Sequence, residues 1–323
     1  MAVKFGVFVP QGWKMDLVGI ADPIAQYEAM TRVAQVADQL PGIDSIWVYD
    51  HFHTIPVPTM QTTFECWTIT AGLARDTKRV KVGQMVTCNG YRNPALLAKI
   101  ASTTDVLSHG RLICGLGAGW YEHEWRAYGY GFPDVPVRMG MFREACEIVY
   151  RMWTEERPTF QGKYYTIDQP INQPQGARKP HPEFWLGGGG EKVTLKLVAK
   201  YADGCNVGGG NPDTIRQKVA VLRDHCASLG RDIGQITIST SLPDFYLPAE
   251  GTDTSKLPAW AAGRIDEATF RKYVQVFTPD QAAERVQAAV DAGANYIIVY
   301  LTGLAYEPEQ LRRFNDQVLA RFA

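Results

Sequence analysis

Eight short runs of Val, Ile, Phe and Trp recur along the chain, set apart by longer stretches in which apolar residues return with helical spacing. The runs are "KFGVFV" (4–9), "SIWVYD" (45–50), "VKVGQMV" (80–86), "RLICGLG" (111–117), "EFWLGG" (183–188), "DGCNVGG" (203–209), "QITISTS" (235–241) and "NYIIVYL" (295–301). Most are nearly continuous hydrophobics, as strands of a parallel sheet covered on both faces require. Helical periods fill 23–40, 93–107, 137–153 and 278–294. Asp22 precedes Pro23 as an N-cap with proline in the first turn, Thr278-Pro279 opens the last of these stretches, and Gly293 stops it.

Eight strands alternating with helices predict an α/β chain folded as a (β/α)8 TIM barrel rather than an open doubly wound sheet. No linker or shift in composition divides it, so residues 1–323 are expected to form a single domain. Two segments exceed the repeat: an aromatic, glycine-rich connection at 118–136 after the fourth strand, and an insertion at 242–277 after the seventh. Both are expected above the C-terminal ends of the strands, where barrel enzymes build their sites.

Composition changes this picture little. With 46% apolar residues, 21% charged residues and a net charge of −1, the chain has no basic excess, which argues against nucleic acid or a membrane surface as partner. The six cysteines, Cys66, Cys88, Cys114, Cys146, Cys205 and Cys226, are scattered without a C-x-x-C pair, so neither a disulfide framework nor a thiolate metal site is expected. The opening "MAVKFGVFVPQG" enters a strand directly, without the features of a signal peptide, and no run approaches the roughly 18 apolar residues of a membrane span. A reducing, cytoplasmic setting is the expectation.

Three motifs carry candidate chemistry. In "SIWVYDHFH" (45–53) the second strand ends in Asp50-His51-Phe52-His53, on the face where catalytic groups belong. An imidazole titrates near neutrality and can take or give a proton. Adjacent residues of an extended chain point opposite ways, so Asp50 and His51 are not expected to pair, whereas His51 and His53 share a face. That face allows a metal reading, but no third ligand is visible and no metal is expected. In "WLGGGGEKVTLKLVAKYADG" (185–204), glycines 187–190 lie between a strand and a helix expected to open near Glu191, a seat for a phosphate. In "GLGAGWYEHEW" (115–125), the alternating Gly115, Gly117 and Gly119 leave one face bare, with room for a flat group against the backbone.

In this order the motifs resemble the luciferase-like (bacterial luciferase-type) superfamily, in particular its coenzyme F420-dependent oxidoreductases. The likeness rests on "WVYDHFH", on "VGQMVTCNGYRNPALLAKIASTTDVLSHGRLICGLGAGWYEHEWRAYGYGFP" and on "WLGGGGEKVTLKLVAKYADGCNV", and runs along nearly the whole chain. It implies a TIM barrel, often a homodimer, holding a flavin or 5-deazaflavin at the C-terminal ends of the strands. Position by position it implies His51 beside the reactive ring carbon as the catalytic residue, and Asp50 in contact with the cofactor. It implies a cis peptide at Met85-Val86 behind the ring, Gly188, Gly189 and Gly190 at its phosphate, and Gly117 and His123 as further cofactor contacts.

One departure bears on the substrate. Where the sugar-phosphate dehydrogenases of this branch have a glutamate after the fourth strand's glycines, this chain has Trp120. Glucose 6-phosphate is therefore not the expected substrate, and an aromatic wall is expected instead, with Trp13, Trp120, Tyr121, Phe245 and Trp260 as candidates. Glu122 and Glu124 are nearby carboxylates, read as candidates for an acid role or, more commonly, as exposed on a helical turn, and Arg138 is a candidate phosphate partner or a surface helix-start residue. The resulting expectation is an enzyme with coenzyme F420 that transfers hydride to or from an enone, imine, alcohol or carbonyl. An FMN-dependent monooxygenase of the same superfamily and a non-catalytic flavin-binding protein are the alternatives.

Overall fold

The computed structural model describes residues 3–322, so only residues 1, 2 and 323 of the expected domain lie outside it. Eight strands form the barrel: β1 (Lys4–Phe8), β2 (Ser45–Val48), β3 (Lys81–Gln84), β4 (Leu112–Gly117), β5 (Glu183–Gly187), β6 (Gly204–Asn206), β7 (Thr237–Ser241) and β8 (Tyr296–Val299). Each pairs in parallel with the next, and β8 returns to β1 with Tyr296 opposite Lys4, which closes the cylinder. Among the described residues ten helices accompany the strands: α1 (Pro23–Gln39), α2 (Cys66–Asp76), α3 (Pro94–Leu107), α4 (Glu122–Ala127), α5 (Val135–Thr154), α6 (Thr194–Tyr201), α7 (Pro212–Ser228), α8 (Glu267–Tyr273), α9 (Pro279–Asp291) and α10 (Glu309–Gln317). Among the described residues no helix is long and apolar enough to cross a membrane.

The expected caps are in place. The Asp22 carboxylate accepts from Ile24 and Ala25 amides, and Thr278 and Gln281 form a capping box at the start of α9. Helices α2, α7 and α10 lie outside the four helical periods read from the sequence; α2 carries Thr, Trp and Gly, and burial of Trp67, Ile69 and Leu73 holds it in place of propensity. The third strand ends at Gln84 instead of 86, the Met85–Val86 peptide that follows is cis, and Thr87 and Cys88 then rejoin β4.

The barrel interior is filled by aromatic side chains rather than the usual aliphatic layers. Phe8, Trp47, Ile113, Trp185, Tyr296, Ile298 and Tyr300 form one buried cluster. Two tryptophans fit because glycines stand opposite them. A Cβ on Gly83 would lie 2.5 Å from the Trp47 ring, and one on Gly204 would lie 2.5 Å from the Trp185 ring. Trp47 is fully buried and leans on Trp185 at 5.1 Å, so it cannot retreat. Gly83→Ala should therefore destabilise the fold by about 1–3 kcal/mol through overpacking, read as an earlier denaturant midpoint. A control at exposed Gly263, where no atom lies within 4 Å, is unsuitable because its φ is +74°; the compensating Gly83→Ala/Trp47→Phe pair serves instead and should recover part of the loss.

The insertion at 242–277 builds a small satellite core of its own. Its strands Phe245–Tyr246 and Gln275–Val276 pair, and Tyr246, Ala261 and Phe270 pack with Trp260.

Candidate active site at the C-terminal end of the barrel

A cavity of about 830 Å³ opens at the C-terminal ends of β2 to β6. Its walls include Trp13, Asp50, His51, Met85, Val86, Gly117, Trp120, Tyr121 and Gly188 to Gly190 of the residues singled out above, but not His53, His123, Phe245, Trp260, Arg138 or the two acids of α4. A second concavity of about 580 Å³ lies at the opposite end beside Phe5, Asp44 and Arg79. The Arg79 guanidinium there is already spent on the carbonyls of Ala37, Asp38 and Leu40, and that end of a barrel serves stability.

The turn that follows β2 wraps around one carboxylate. Glu124 accepts from His51 Nδ1 at 2.8 Å, from the Phe52 and His53 amides at 2.7 and 2.8 Å, and from the Tyr91 hydroxyl at 2.8 Å. It is fully buried, which corrects the expectation of an exposed acid. Within the single turn of α4, Glu122 points out and pairs with Arg126, while Glu124 and Trp125 point in. Burial works to raise the Glu124 carboxyl, but the bond and charge of His51, the His53 amide and the Tyr91 hydroxyl outweigh it and hold Glu124 below the ordinary carboxylate range.

His51 is thereby fixed as an Nδ1 donor, and its Nε2 has no hydrogen-bond partner among the described residues. The ring stacks face to face on Trp13 with centroids 4.2 Å apart, and meets Trp120 and Tyr121 edge-on at 5.6 and 5.8 Å. His53 does not join it: the Glu124 cap turns the chain, and His53 Nδ1 instead meets His123 Nδ1 at 3.1 Å on the surface. His123 accordingly stands outside the cavity, because Glu124 takes the inward position on α4.

Asp50 and His51 do not pair, as their alternation required. Asp50 is held by Arg92 through two bonds of 2.7 and 3.0 Å and by the Cys88 amide at 2.8 Å. Arg92 continues to Glu65, the N-cap of α2. Burial opposes its charge, but Asp50 and Glu65 overcome this and raise Arg92 above its usual value. Neither Arg92 nor Glu124 had a signal in one dimension, since each acts on a residue more than 40 positions away.

The glycines behave in two ways. Val86, beyond the cis peptide, occupies the space over the strand glycines, since a Cβ on Gly117 or Gly187 would lie 2.6 or 2.8 Å from its methyls. Gly119 is likewise covered by Cys88 and Trp125. The bare face expected for a flat ligand is therefore filled by the protein's own side chains, with Met85 and Val86 presenting the surface. Gly188 to Gly190 do line the cavity, and Gly188 has φ +115°, a conformation suited to glycine. A Cβ on Gly190 would stand 3.0 Å from Thr194 Oγ1. Helix α6 begins at Thr194 and not near Glu191, because the Glu191 carbonyl accepts from His225 and the Leu195 amide returns to Gly190.

Arg138 stacks on Phe132 and donates to the Pro133 carbonyl, and so is committed elsewhere. Phe245 packs on Phe277 and Phe314, and Trp260 on Tyr306, so these two aromatics are core rather than wall.

Known proteins resemble this chain over most of its length. The family profile described as luciferase-like monooxygenase matches residues 3–246. The F420-dependent glucose-6-phosphate dehydrogenase of Kineococcus radiotolerans is 29% identical, over 91% of this chain and 92% of its own length. Among solved structures, a monooxygenase from Streptomyces bottropensis superposes with a TM-score of 0.78 at 21% identity, covering 99% of this chain and 100% of its own. An F420-dependent secondary alcohol dehydrogenase, solved with an F420–acetone adduct, gives 0.74 at 18% identity, covering 96% and 98%. At these identities the two structures speak for the barrel fold alone.

Proposed function

This chain belongs to the luciferase-like monooxygenase family, and we propose that within it the protein is an F420-dependent oxidoreductase acting on a small uncharged organic substrate: an alcohol or carbonyl, an enone or an imine. The observation that carries the reading is the His51–Glu124 pair at the cavity wall, with Nε2 left for a substrate proton. The relatives named as F420-dependent support the choice of cofactor.

The residues present fit such a group. Side chains at Gly189 and Gly190 would close the space between the main chain, Lys218 and Thr194, so the glycines keep a cradle open for a phosphate. Gly188 to Gly190, Thr194 and Lys218 would hold that phosphate, with Met85 and Val86 backing the ring. The deazaflavin, when bound, supplies a two-electron hydride donor or acceptor. Glu124 holds His51 in the Nδ1–H tautomer, so Nε2 takes a hydroxyl proton in oxidation and returns it in reduction, and the buried carboxylate stabilises the imidazolium between.

Charge in the cavity argues for an uncharged substrate. The lining cations among the described residues are Lys192 and Lys218, both beside the glycine loop. Trp13, Trp120 and Tyr121 surround His51 instead, so a sugar phosphate would find no cation there. Six free, buried thiols suit a reducing, cytoplasmic setting.

The test is a pair of titrations of the apo-protein with F420 and with FMN, followed by turnover assays on secondary alcohols, enones and glucose 6-phosphate. Tight F420 binding with turnover of uncharged substrates is expected. Oxygen-dependent turnover with FMN would transfer the protein to the monooxygenase branch.

A further inference from the structure

The glycine loop keeps a charge that a phosphate site has no evident use for. Glu191 follows Gly190 directly and lines the same cavity. Helix α7 holds it from three positions: Lys218 Nζ and Gln217 Nε2 donate to its Oε1 at 2.7 and 2.8 Å, and His225 Nε2 donates to its carbonyl at 2.8 Å. The Lys218 side chain is only 17% exposed and runs along Gly189, where an added Cβ would stand 3.2 Å from its Cε. Glu191 is therefore seated on the most enclosed cation of the cradle rather than loose on the surface.

We infer that Glu191 is a selectivity residue, which by neutralising Lys218 suits the cradle to a singly charged phosphodiester and turns it against a doubly charged phosphomonoester. The inference rests on the F420 reading above. Lys218 and Glu191 together carry no net charge, and the other lining cation is the exposed Lys192. A monoanion entering this loop is balanced. A dianion leaves one negative charge uncompensated beside the Glu191 carboxylate. F420 carries its phosphate as a diester, with one charge. FMN carries a monoester, whose second proton leaves near pH 6, so that at neutral pH it bears close to two charges. A carboxylate so placed costs the correct ligand little and repels its rival, which is how specificity is gained by discrimination against the competitor.

Binding titrations of the wild type, Glu191→Gln, Glu191→Ala and Lys218→Met with F420 and with FMN, near pH 7.5 and at low ionic strength, test this without any turnover. Both Glu191 variants should tighten FMN about three- to tenfold more than they tighten F420, and the difference should shrink in high salt. Lys218→Met should weaken both ligands. Equal shifts for the two ligands, or none for either, would overturn the selectivity role and leave the F420 reading standing, provided the wild type binds F420. A wild type that binds neither ligand would remove the F420 reading and this inference with it.

Discussion

His51→Ala should lower turnover of an uncharged substrate by about 100- to 10,000-fold while F420 still binds. The reason is local. Nε2 is the ring nitrogen left free by Glu124, and Trp13, stacked at 4.2 Å, keeps the ring from swinging away. If turnover survives the change, proton transfer runs through another group or through water, and the role given to His51 is wrong. Glu124→Gln is the informative companion, because Glu124 acts through His51 as a positioning residue. The amide keeps the shape but loses the charge, so a fall in kcat of about 10- to 100-fold is expected with KM little changed and a displaced pH profile. A merely structural role would leave that profile in place. Acid stability gives a second readout. Glu124 is held below its ordinary value of 4.5, so its ionisation favours the folded state above about pH 4.5, and that contribution is lost as pH falls through the lower, folded value. The wild type should accordingly lose more stability below pH 4.5 than Glu124→Gln does.

The second large effect is on stability. Arg92→Met should destabilise the fold by about 3–5 kcal/mol, since it strands Asp50, 2% exposed, with only the Cys88 amide for its charge. For a chain of 323 residues this corresponds to a fall in Tm of about 4–7 °C in a thermal scan. Glu65, partly exposed and still capping α2, contributes little to that loss. Adding Asp50→Leu to Arg92→Met removes the orphaned charge and should recover much of the difference; a double variant no more stable than the single would show that the pair is not what holds this end of β2.

Much of the scaffold was legible in one dimension because it depends on short-range rules. Near-continuous apolar runs marked the eight strands, and Asp22 and Thr278 marked helix starts by local hydrogen bonds. The strand-end position of Asp50 and His51 and the openness of Gly188 to Gly190 followed in the same way. Helix α2 escaped because its residues form a helix only when packed, and the bare glycine face was misread because nothing in the sequence shows that Val86 folds back over Gly117 and Gly187.

By itself, then, the sequence determined the barrel, the end of it that opens into the cavity and the histidine placed there, since period, caps and chain alternation act over a few residues. Only the tertiary structure decided what that histidine is. The partners that set its tautomer and charge arrive from α4, from the turn before α3 and from the loop after β1, through contacts that burial makes strong and that no spacing along the chain encodes. The same holds for Lys218 and Glu191, 27 positions apart, whose side chains meet beside the glycine loop.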